Sequence, residues 1–406
     1  MWRAKEPSGG SLDHNPRVIE MAELRHAVRR MADVDEPHAL LADRLFAKTR
    51  RAIRLEGVAH DAATLLRREA ETLGITVLDG MPASTGSAAR VLVADDENLR
   101  RLASNLETAG EKPLATAVRA TLSSYLRSGF SLSWPDGERL LLGSETRVMG
   151  ILNVTPDSFS DGGKFDDPRR ALEAAAVMAD EGAEILDVGG ESTRPGAEPV
   201  PEEEEIRRVV PLVNAIKHEL SVRVSVDTYK ASVARAALDA GADMVNDITA
   251  FSDPGMIPLL RDRRAAAVVM HMRGTPATMQ KDTQYVDLMA SVVGYLRRAV
   301  EKAAQAGVAD DKILVDPGLG FGKSPAGNLQ ILRELPTLRS VGRPVLIGGS
   351  RKSFIGAALN LPVGERLEGS LAVAALAAWQ GAHMIRTHDV GETIRVVRMI
   401  DAIRNL

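Results

Sequence analysis

The residues of this 406-residue chain that could do chemistry come directly after short apolar segments in its C-terminal two thirds. Most are carboxylates, amides and cationic groups, namely Asn153, Asp187, Asp227, Asn246, His271, Asp316, Lys352, Arg386 and His388. In a parallel α/β barrel, side chains at the carboxyl ends of the strands face one opening, where catalytic residues gather. A single aspartate of this kind could cap a helix, but capping does not explain why nearly every segment ends this way. The pattern therefore predicts one shared site at one end of a barrel.

Four of these side chains have the chemistry to bind a flat heterocycle. Asp227, Asn246 and Asp316 offer acceptor oxygens to amino and ring N–H donors, and Lys352 adds an ammonium group. A buried carboxylate without such a partner would cost several kcal/mol. We therefore expect these four side chains to form a ring-binding pocket.

Three further residues predict a polyphosphate site. Asn153 ends the first predicted strand, and Arg386 and His388 end the eighth, so they become neighbours when a barrel closes. An amide oxygen, a guanidinium and an imidazole together suit a polyphosphate with Mg²⁺. Two structural alternatives stay open, since Arg386 could pair with a nearby aspartate and His388 could be a core or capping histidine.

Three other positions have less specific assignments from sequence: two of them allow two interpretations, and the third has no role beyond packing. Phe321, in the Gly-rich segment 315–323, could form a wall for a planar ring or could cap the barrel. Ser353 begins a predicted helix, where its hydroxyl could be the N-cap or could help the helix N-terminus hold a carboxylate. His271 is expected only to line the opening.

The elements that must position these residues alternate regularly. Eight short apolar segments are typical of strands buried on both faces, and they are 148–153, 185–188, 223–226, 244–246, 267–270, 313–316, 344–347 and 384–386. Helix-patterned stretches separate them. Eight alternations predict a (β/α)₈ TIM barrel over residues 144–406. A doubly wound open sheet is the alternative, and it is disfavoured because no G-x-G-x-x-G opens a helix after the first strand.

The N-terminal part has a different pattern. Residues 1–20 are polar and are expected to form a flexible tail, and residues 21–143 predict a small mixed α/β domain of unassigned role. Helices are expected at 61–73, 98–109 and 114–126, with strands near 75–79 and 90–94. This part holds no catalytic constellation, and its arginines are expected on solvated faces; they are Arg50, Arg51, Arg54, Arg67 and Arg68.

Composition excludes several classes of function. The net charge is −4 and aromatic residues make up 3% of the chain, which argues against a nucleic-acid partner. The chain has no cysteine, so disulfides and thiolate chemistry are excluded, and a reducing cytoplasm is the expected location. Neither a signal peptide nor an apolar run long enough for a membrane span is found.

Eight motifs of the C-terminal two thirds resemble those of one known family, in the same order. They are NVTPDSFSDGG, DVGGESTRPGA, SVDTYK, NDI, MHMRGTPATMQ, DPGLGFGK, GGSRKS and RTHDV. Residues from about 148 to 406 thereby resemble dihydropteroate synthase. The resemblance implies a TIM-barrel transferase, usually a homodimer, that joins 6-hydroxymethyl-7,8-dihydropterin diphosphate to p-aminobenzoate with Mg²⁺ and releases pyrophosphate. It also implies that sulfonamides compete at the p-aminobenzoate site.

The resemblance further implies roles for individual residues. The pterin ring is expected to contact Asp227, Asn246, Met270, Asp316, Phe321 and Lys352. The diphosphate is expected to contact Asn153, Arg386 and His388, with Asn153 also on the metal ion. p-Aminobenzoate is expected to contact Phe159, Thr193, Arg194, Pro195 and Ser353. The residues expected to act in catalysis are Asp161, Lys352, Arg386 and His388.

The chemistry of the residues agrees with that reaction. An arylamine is neutral at pH 7, so the nucleophile needs no strong general base, and loss of the diphosphate is the difficult step. We expect a dissociative, SN1-like displacement with the diphosphate substrate bound first and with Asp161 stabilising the positive methylene. Two alternatives remain: a pterin-binding methyltransferase, which has no use for diphosphate-binding residues, and a non-catalytic pterin-binding barrel, which would carry degenerate loops.

Overall fold

The computed structural model describes residues 17–19, 50–82, 88–154, 168–192 and 198–406. Contacts divide the chain into two compact units. One unit ends at Arg127 and takes in Pro336–Gly342, and the other comprises Ser128–Leu335 and Arg343–Leu406. The predicted domain limits at residues 20 and 143 stay predictions. Within the described ranges, no helix is both long and apolar enough to cross a membrane.

The N-terminal unit contains a four-stranded sheet whose hydrogen-bonded neighbours are antiparallel and follow the order β1-β2-β4-β3. The strands are β1 Arg17–Ile19, β2 Arg51–Val58, β3 Thr76–Pro82 and β4 Ala88–Ala94. The helices are α1 His60–Thr72, α2 Asp96–Thr108 and α3 Lys112–Leu126. Leucines and alanines of all three helices pack on the sheet in one apolar core. The predicted small α/β domain is therefore confirmed as a sheet with helices.

Strand β2 is not among the predicted strands, because Arg51 and Arg54 interrupt its apolar pattern; both are partly buried in the sheet and not on a fully solvated face. Apolar and arginine positions are mixed along Arg51–Val58, and the apolar ones are buried. Arg51 is half-buried and its Nε donates to Asp96 Oδ1 at 2.6 Å. The long arginine side chain keeps its charged end at a carboxylate while its stem covers apolar surface, so an edge position of the core tolerates it.

The C-terminal unit is a closed parallel barrel. Its strands are β7 Arg147–Asn153, β8 Ile185–Gly189, β9 Arg223–Asp227, β10 Met244–Asp247, β11 Ala266–Met270, β12 Ile313–Asp316, β13 Leu346–Ile347 and β14 Met384–Thr387. From β7 to β12 each strand pairs with the next along the chain, β13 pairs with β14, and β14 returns to pair with β7. A parallel β-bridge between Val315, on β12, and Val345, directly before β13, connects the two remaining neighbours and closes the ring. The predicted (β/α)₈ barrel is confirmed, and the closed ring rules out the open doubly wound sheet.

Helices surround this barrel between the strands. They are α4 Pro168–Asp180, α5 Glu202–Glu219, α6 Ala231–Asp239, α7 Met256–Arg263, α8 Leu288–Gln305, α9 Pro325–Arg333, α10 Ser353–Leu359, α11 Leu367–Trp379 and α12 Val390–Arg404. The strands are buried along most of their length, because one face meets the barrel interior and the other meets the helices.

A hairpin closes the amino-terminal end of the barrel. Its strands β5 Phe130–Ser133 and β6 Arg139–Leu142 pair antiparallel. Their apolar side chains and Trp134 form one cluster with residues from the interior of the barrel strands. Buried Lys312 donates from Nζ to the carbonyl of Ser133 at 2.7 Å. The hairpin thus seals one end of the barrel and leaves the carboxyl ends of the strands as its opening.

Candidate active site

An ion-pair cluster occupies the opening of the barrel. Arg386, on β14, donates from Nε to Asp187 Oδ2 at 2.6 Å and from Nη2 to Asp227 Oδ2 at 2.7 Å. Asp187 is fully buried, and Asp227 and Arg386 are 11% and 16% exposed. Two buried carboxylates therefore share one guanidinium, which offsets part of their desolvation cost. The salt-bridge alternative for Arg386 is what the structure shows.

Asp187 also binds the amide of Asn246. Asn246 Nδ2 donates to Asp187 Oδ2 at 2.9 Å, so the predicted ring-binding residues Asn246 and Asp227 are tied together through Asp187 and Arg386. The sequence placed Asp187 among the strand-end residues but gave it no role. Its position at a strand end, in common with its neighbours, was the only signal available before the fold was known.

Lys352 lies over the loop that follows β12. Its Nζ donates to the carbonyl of Leu319 at 2.5 Å and lies 4.2 Å from the centroid of the Phe321 ring. Asp316, at the end of β12, accepts from the amide of Gly318 at 2.6 Å. The ammonium, the aromatic face and the carboxylate thus lie on one side of the opening.

Phe321 has apolar neighbours as well as the ammonium group. It is half-buried and packs with Met270 against a small cluster that contains Ile248, Met272 and Met279. Methionine side chains adapt well to an aromatic surface. Both Phe321 and Met270 therefore belong to an apolar wall beside the polar cluster, which favours the pocket-wall interpretation of Phe321 over a simple barrel cap.

Burial shifts the protonation of the polar groups in this cluster. It raises the pKa of Asp227 to about 7, although Arg386 opposes the shift. It also raises the pKa of Asp316, with the Gly318 amide opposing, and it lowers the pKa of Lys352 to about 8, with Asp316 opposing. Asp227 and Lys352 therefore change charge near neutral pH, as groups in ligand-binding and catalytic sites often do.

The Gly-rich loop after β12 is held by a buried lysine. Lys323 Nζ donates to the carbonyls of His271, Gly318 and Phe321 at 3.1, 2.8 and 2.7 Å. Gly318 has a φ of +68°, and a Cβ built on it would lie 2.1 Å from the His271 carbonyl oxygen. Only glycine fits this backbone position, so the loop is fixed close to the barrel opening.

The predicted diphosphate ligands lie beside the cluster. Ser350 Oγ lies 2.9 Å from His388 Nδ1 and accepts from the His388 backbone amide at 3.2 Å, which fixes the orientation of the imidazole. A Cβ built on Gly189 would lie 3.4 Å from Asn153 Oδ1 and 3.5 Å from Asp227 Cβ. The missing side chain at Gly189 thus leaves room between Asn153 and Asp227.

Ser353 is the first residue of α10 and is exposed. Lys352 occupies the N-cap position and makes no side-chain capping bond, so the N-cap interpretation of Ser353 does not hold. The predicted residues Phe159, Asp161, Thr193, Arg194 and Pro195 lie outside the described residues. Their roles stay predictions.

A buried ionic cluster, which the sequence did not indicate, joins the β8 and β9 loops. Lys230 Nζ donates to Glu191, Glu205 and the carbonyl of Val200, each at 2.6 Å. The Tyr229 hydroxyl donates to the other oxygen of Glu191 at 2.9 Å. Glu191 and Glu205 are buried, and burial raises the pKa of Glu205 with Lys230 opposing. The cluster fixes the backbone next to Asp227.

His271 lies buried behind the opening. Its ring packs edge-on against Tyr295 with centroids 4.9 Å apart, and burial lowers its pKa well below the ordinary value for histidine. No described residue bonds its Nδ1. His271 is a histidine packed behind the opening, and its expected role in lining the opening stays a prediction.

Fold and site together define a TIM-barrel enzyme with a polar ligand site at the carboxyl ends of its strands. The sequence model of the family described as pterin binding enzyme matches residues 149–388. The dihydropteroate synthase of Escherichia coli K12 is 48% identical over 259 residues, which cover 64% of this chain and 92% of that protein.

Solved structures agree with this match. The dihydropteroate synthase of Yersinia pestis in a sulfonamide drug complex is 44% identical with a TM-score of 0.65, covering 68% of this chain and 100% of that one. The Xanthomonas albilineans dihydropteroate synthase with 4-aminobenzoic acid is 43% identical with a TM-score of 0.64, covering 68% and 99%. The chain therefore belongs to the pterin-binding enzyme family and, within it, to the dihydropteroate synthases.

Proposed function

We propose that this protein joins 6-hydroxymethyl-7,8-dihydropterin diphosphate to p-aminobenzoate, forming 7,8-dihydropteroate and pyrophosphate for folate biosynthesis. One observation carries the proposal. The carboxylates, the amide and the cationic groups meet at one barrel opening, although Asp227 and Arg386 are 159 residues apart, in a chain that is 48% identical to the Escherichia coli synthase.

The buried acceptor atoms support recognition of the pterin ring. Asp227 Oδ1 is buried and has no hydrogen-bond partner among the described residues, a costly state unless a ligand supplies a donor. Asp316 and the Asn246 amide add acceptors beside it. The ring then lies against Met270 and Phe321, and Lys352 donates to its acceptor atoms.

Arg386, His388 and Asn153 are the groups proposed to hold the diphosphate. Among the described residues, no three histidine or acidic side chains converge on a metal position. This fits Mg²⁺, which often takes one or two protein oxygens and completes its shell with phosphate oxygens and water. Asn153 Oδ1, with the space left by Gly189, would be the protein ligand. When bound, Mg²⁺ would neutralise part of the negative charge of the diphosphate.

The reaction breaks the bond between the pterin methylene carbon and the diphosphate oxygen, and the electron pair leaves with pyrophosphate. The amine nitrogen of p-aminobenzoate then bonds to the methylene and loses one proton to solvent. Arg386 and His388 stabilise the charge that grows on the leaving oxygen. Asp161 is proposed to stabilise the positive methylene, in keeping with a dissociative displacement.

The second substrate is proposed to bind beside α10. Ser353 is exposed at the start of this helix and lies next to Lys352 in sequence. The helix N-terminus favours the carboxylate of p-aminobenzoate. From the family resemblance, Phe159, Thr193, Arg194 and Pro195 are also proposed to contact p-aminobenzoate, and sulfonamides are expected to compete there.

We further propose a cytoplasmic homodimer. Helix α11 is apolar on nearly all faces, and such a helix is normally buried all round. Leu376 and Trp379 of α11, and Met399 and Ile403 of α12, are 39%, 54%, 61% and 42% exposed. A second copy covering α11 and α12 would bury this patch.

The test is pyrophosphate release and dihydropteroate formation by the full chain with Mg²⁺, the dihydropterin diphosphate and p-aminobenzoate. Arg386→Gln should lower kcat/KM at least about 100-fold, since a charge-assisted contact to the leaving group is lost. Arg263→Gln removes the same group from an exposed position on α7 and should leave turnover unchanged.

The result can also contradict the proposal. Pterin binding without pyrophosphate release would favour a methyltransferase or a non-catalytic barrel. A steep dependence of the rate on the nucleophilicity of substituted anilines would contradict the dissociative mechanism.

A further inference from the structure

Asp187 is a buried carboxylate without an assigned role. Its side chain is 0% exposed, and one oxygen, Oδ1, has no hydrogen-bond partner among the described residues. The other oxygen, Oδ2, accepts from Arg386 Nε at 2.6 Å and from Asn246 Nδ2 at 2.9 Å. Burying such a group costs free energy. We therefore look for its role in the two side chains that it binds.

The contact with Asn246 decides which end of the amide is available to a ligand. An amide has a donor end and an acceptor end of nearly equal size. A carboxylate paired with an arginine only accepts, so the NH₂ end of Asn246 must turn toward Asp187. The acceptor Oδ1 of Asn246 is therefore the end left for a ligand.

The contact with Arg386 has a similar effect on Asp227. Because Nε is bound to Asp187, the guanidinium is held so that Nη2 reaches Asp227 Oδ2 at 2.7 Å. Asp227 Oδ1 is then the remaining acceptor. One buried carboxylate thus orients two acceptor atoms, on Asn246 and Asp227, that could meet adjacent N–H groups of a ring.

We propose that Asp187 is a positioning residue that sets the preference of the site for a ring presenting N–H and amino donors over a ring presenting oxo groups at the same edge. This inference rests on the proposed function, because it names what Asp187 does for the pterin half of that reaction. Asp187 does not itself contact the ligand in this scheme. It sets the preference between the two rings through Asn246, whereas its contact with Arg386 orients Asp227 in the same way for either ring.

The preference can be measured with two ring ligands that differ at one edge. Pterin carries an amino group where lumazine carries an oxo group. Calorimetry on the full chain should show that the wild type binds 6-hydroxymethylpterin at least about 30-fold more tightly than 6-hydroxymethyllumazine, a ratio typical of one or two hydrogen bonds to charged or oriented partners.

Asp187→Leu keeps the approximate volume and removes both acceptor oxygens. The Asn246 amide is then free to turn its NH₂ end toward the ligand, so the pterin-over-lumazine ratio should fall about tenfold. If Asp187 were purely structural, its removal would weaken the binding of both ligands equally. The ratio would then stay unchanged, and that result would overturn the inference. Asp187→Asn tests the same point if the leucine variant does not fold, with an expected fall of about threefold.

A double variant shows whether Asp187 acts through Asn246. In an Asn246→Leu background, Asp187→Leu should leave the ratio unchanged. If it lowers the ratio as much as in the wild type, Asp187 acts by another route and the inference fails.

Turnover is measured separately from binding, which separates the two proposals. Wild-type protein that prefers pterin but releases no pyrophosphate refutes the proposed reaction and leaves the role of Asp187 standing. If the wild type is active but the Asp187 variants keep its ring preference, only the role of Asp187 is refuted. If the wild type binds neither ring, both proposals are refuted.

Discussion

Removing the Arg386 guanidinium should destabilise the barrel as well as slow turnover. In Arg386→Gln, Asp187 and Asp227 lose contacts of 2.6 and 2.7 Å to a shared cation and remain buried. Removing one partner from a buried ion pair costs about 3–5 kcal/mol. For a domain of this size, the melting temperature should therefore fall by about 10 °C.

The loss of stability in Arg386→Gln should be larger at high pH than at low pH. Burial raises the pKa of Asp227 to about 7 in the folded protein, although Arg386 opposes the rise. Below that value the folded protein keeps this carboxyl protonated, and a neutral carboxyl needs no cation. Without Arg386 the pKa of Asp227 would be higher still, so the difference in stability between wild type and Arg386→Gln should be larger near pH 8 and should shrink as the pH falls through 7 toward about 5.5.

Urea unfolding followed by tryptophan fluorescence gives the required assay, because buried Trp134 lies at the base of the barrel. Arg263→Gln, at an exposed position on α7, is the matched control and should unfold like the wild type at about pH 8 and about pH 5.5. Equal unfolding midpoints for Arg386→Gln and wild type at pH 8 would show that the shared guanidinium does not stabilise the buried carboxylates. An equal loss at both pH values would refute the role given to Asp227 ionisation.

Three other changes should have measurable effects. The affinity for 6-hydroxymethylpterin should fall about tenfold per unit of pH below about 7, because the N–H donors of the ring need the ionised Asp227 carboxylate. A calorimetric pH profile that is equally steep for Asp227→Asn would contradict this. Gly318→Ala should destabilise the barrel by more than about 1–2 kcal/mol and should weaken pterin binding. Gly364→Ala is the control, because a Cβ at Gly364 meets no atom within 4 Å, and it should match the wild type in melting temperature and in affinity. Trp379→Glu should shift sedimentation from dimer to monomer, and Arg263→Glu is the control because Arg263 is 44% exposed on α7, outside the proposed dimer surface. A wild type that sediments as a monomer would remove the dimer proposal.

The sequence by itself determined the barrel and the position of its opening. Short, mostly apolar segments are typical of strands covered on both faces, and eight of them alternating with helix patterns fit a closed parallel ring. Polar residues at the ends of such strands must then share one face. For this reason Asp227, Asn246, Asp316, Lys352 and Arg386 could be placed together without coordinates.

Only the tertiary structure decided which of these side chains bind one another. Arg386 and Asp187 are 199 residues apart, and their contact exists because β14 returns to β7 and the barrel closes. Sequence spacing gives the face of a strand but not the rotation of a guanidinium or an amide toward one of several carboxylates. That choice depends on burial, since a carboxylate cut off from water must take the nearest cation or donor. The same physical reason explains why Asp187 had no assigned role until its surroundings were known.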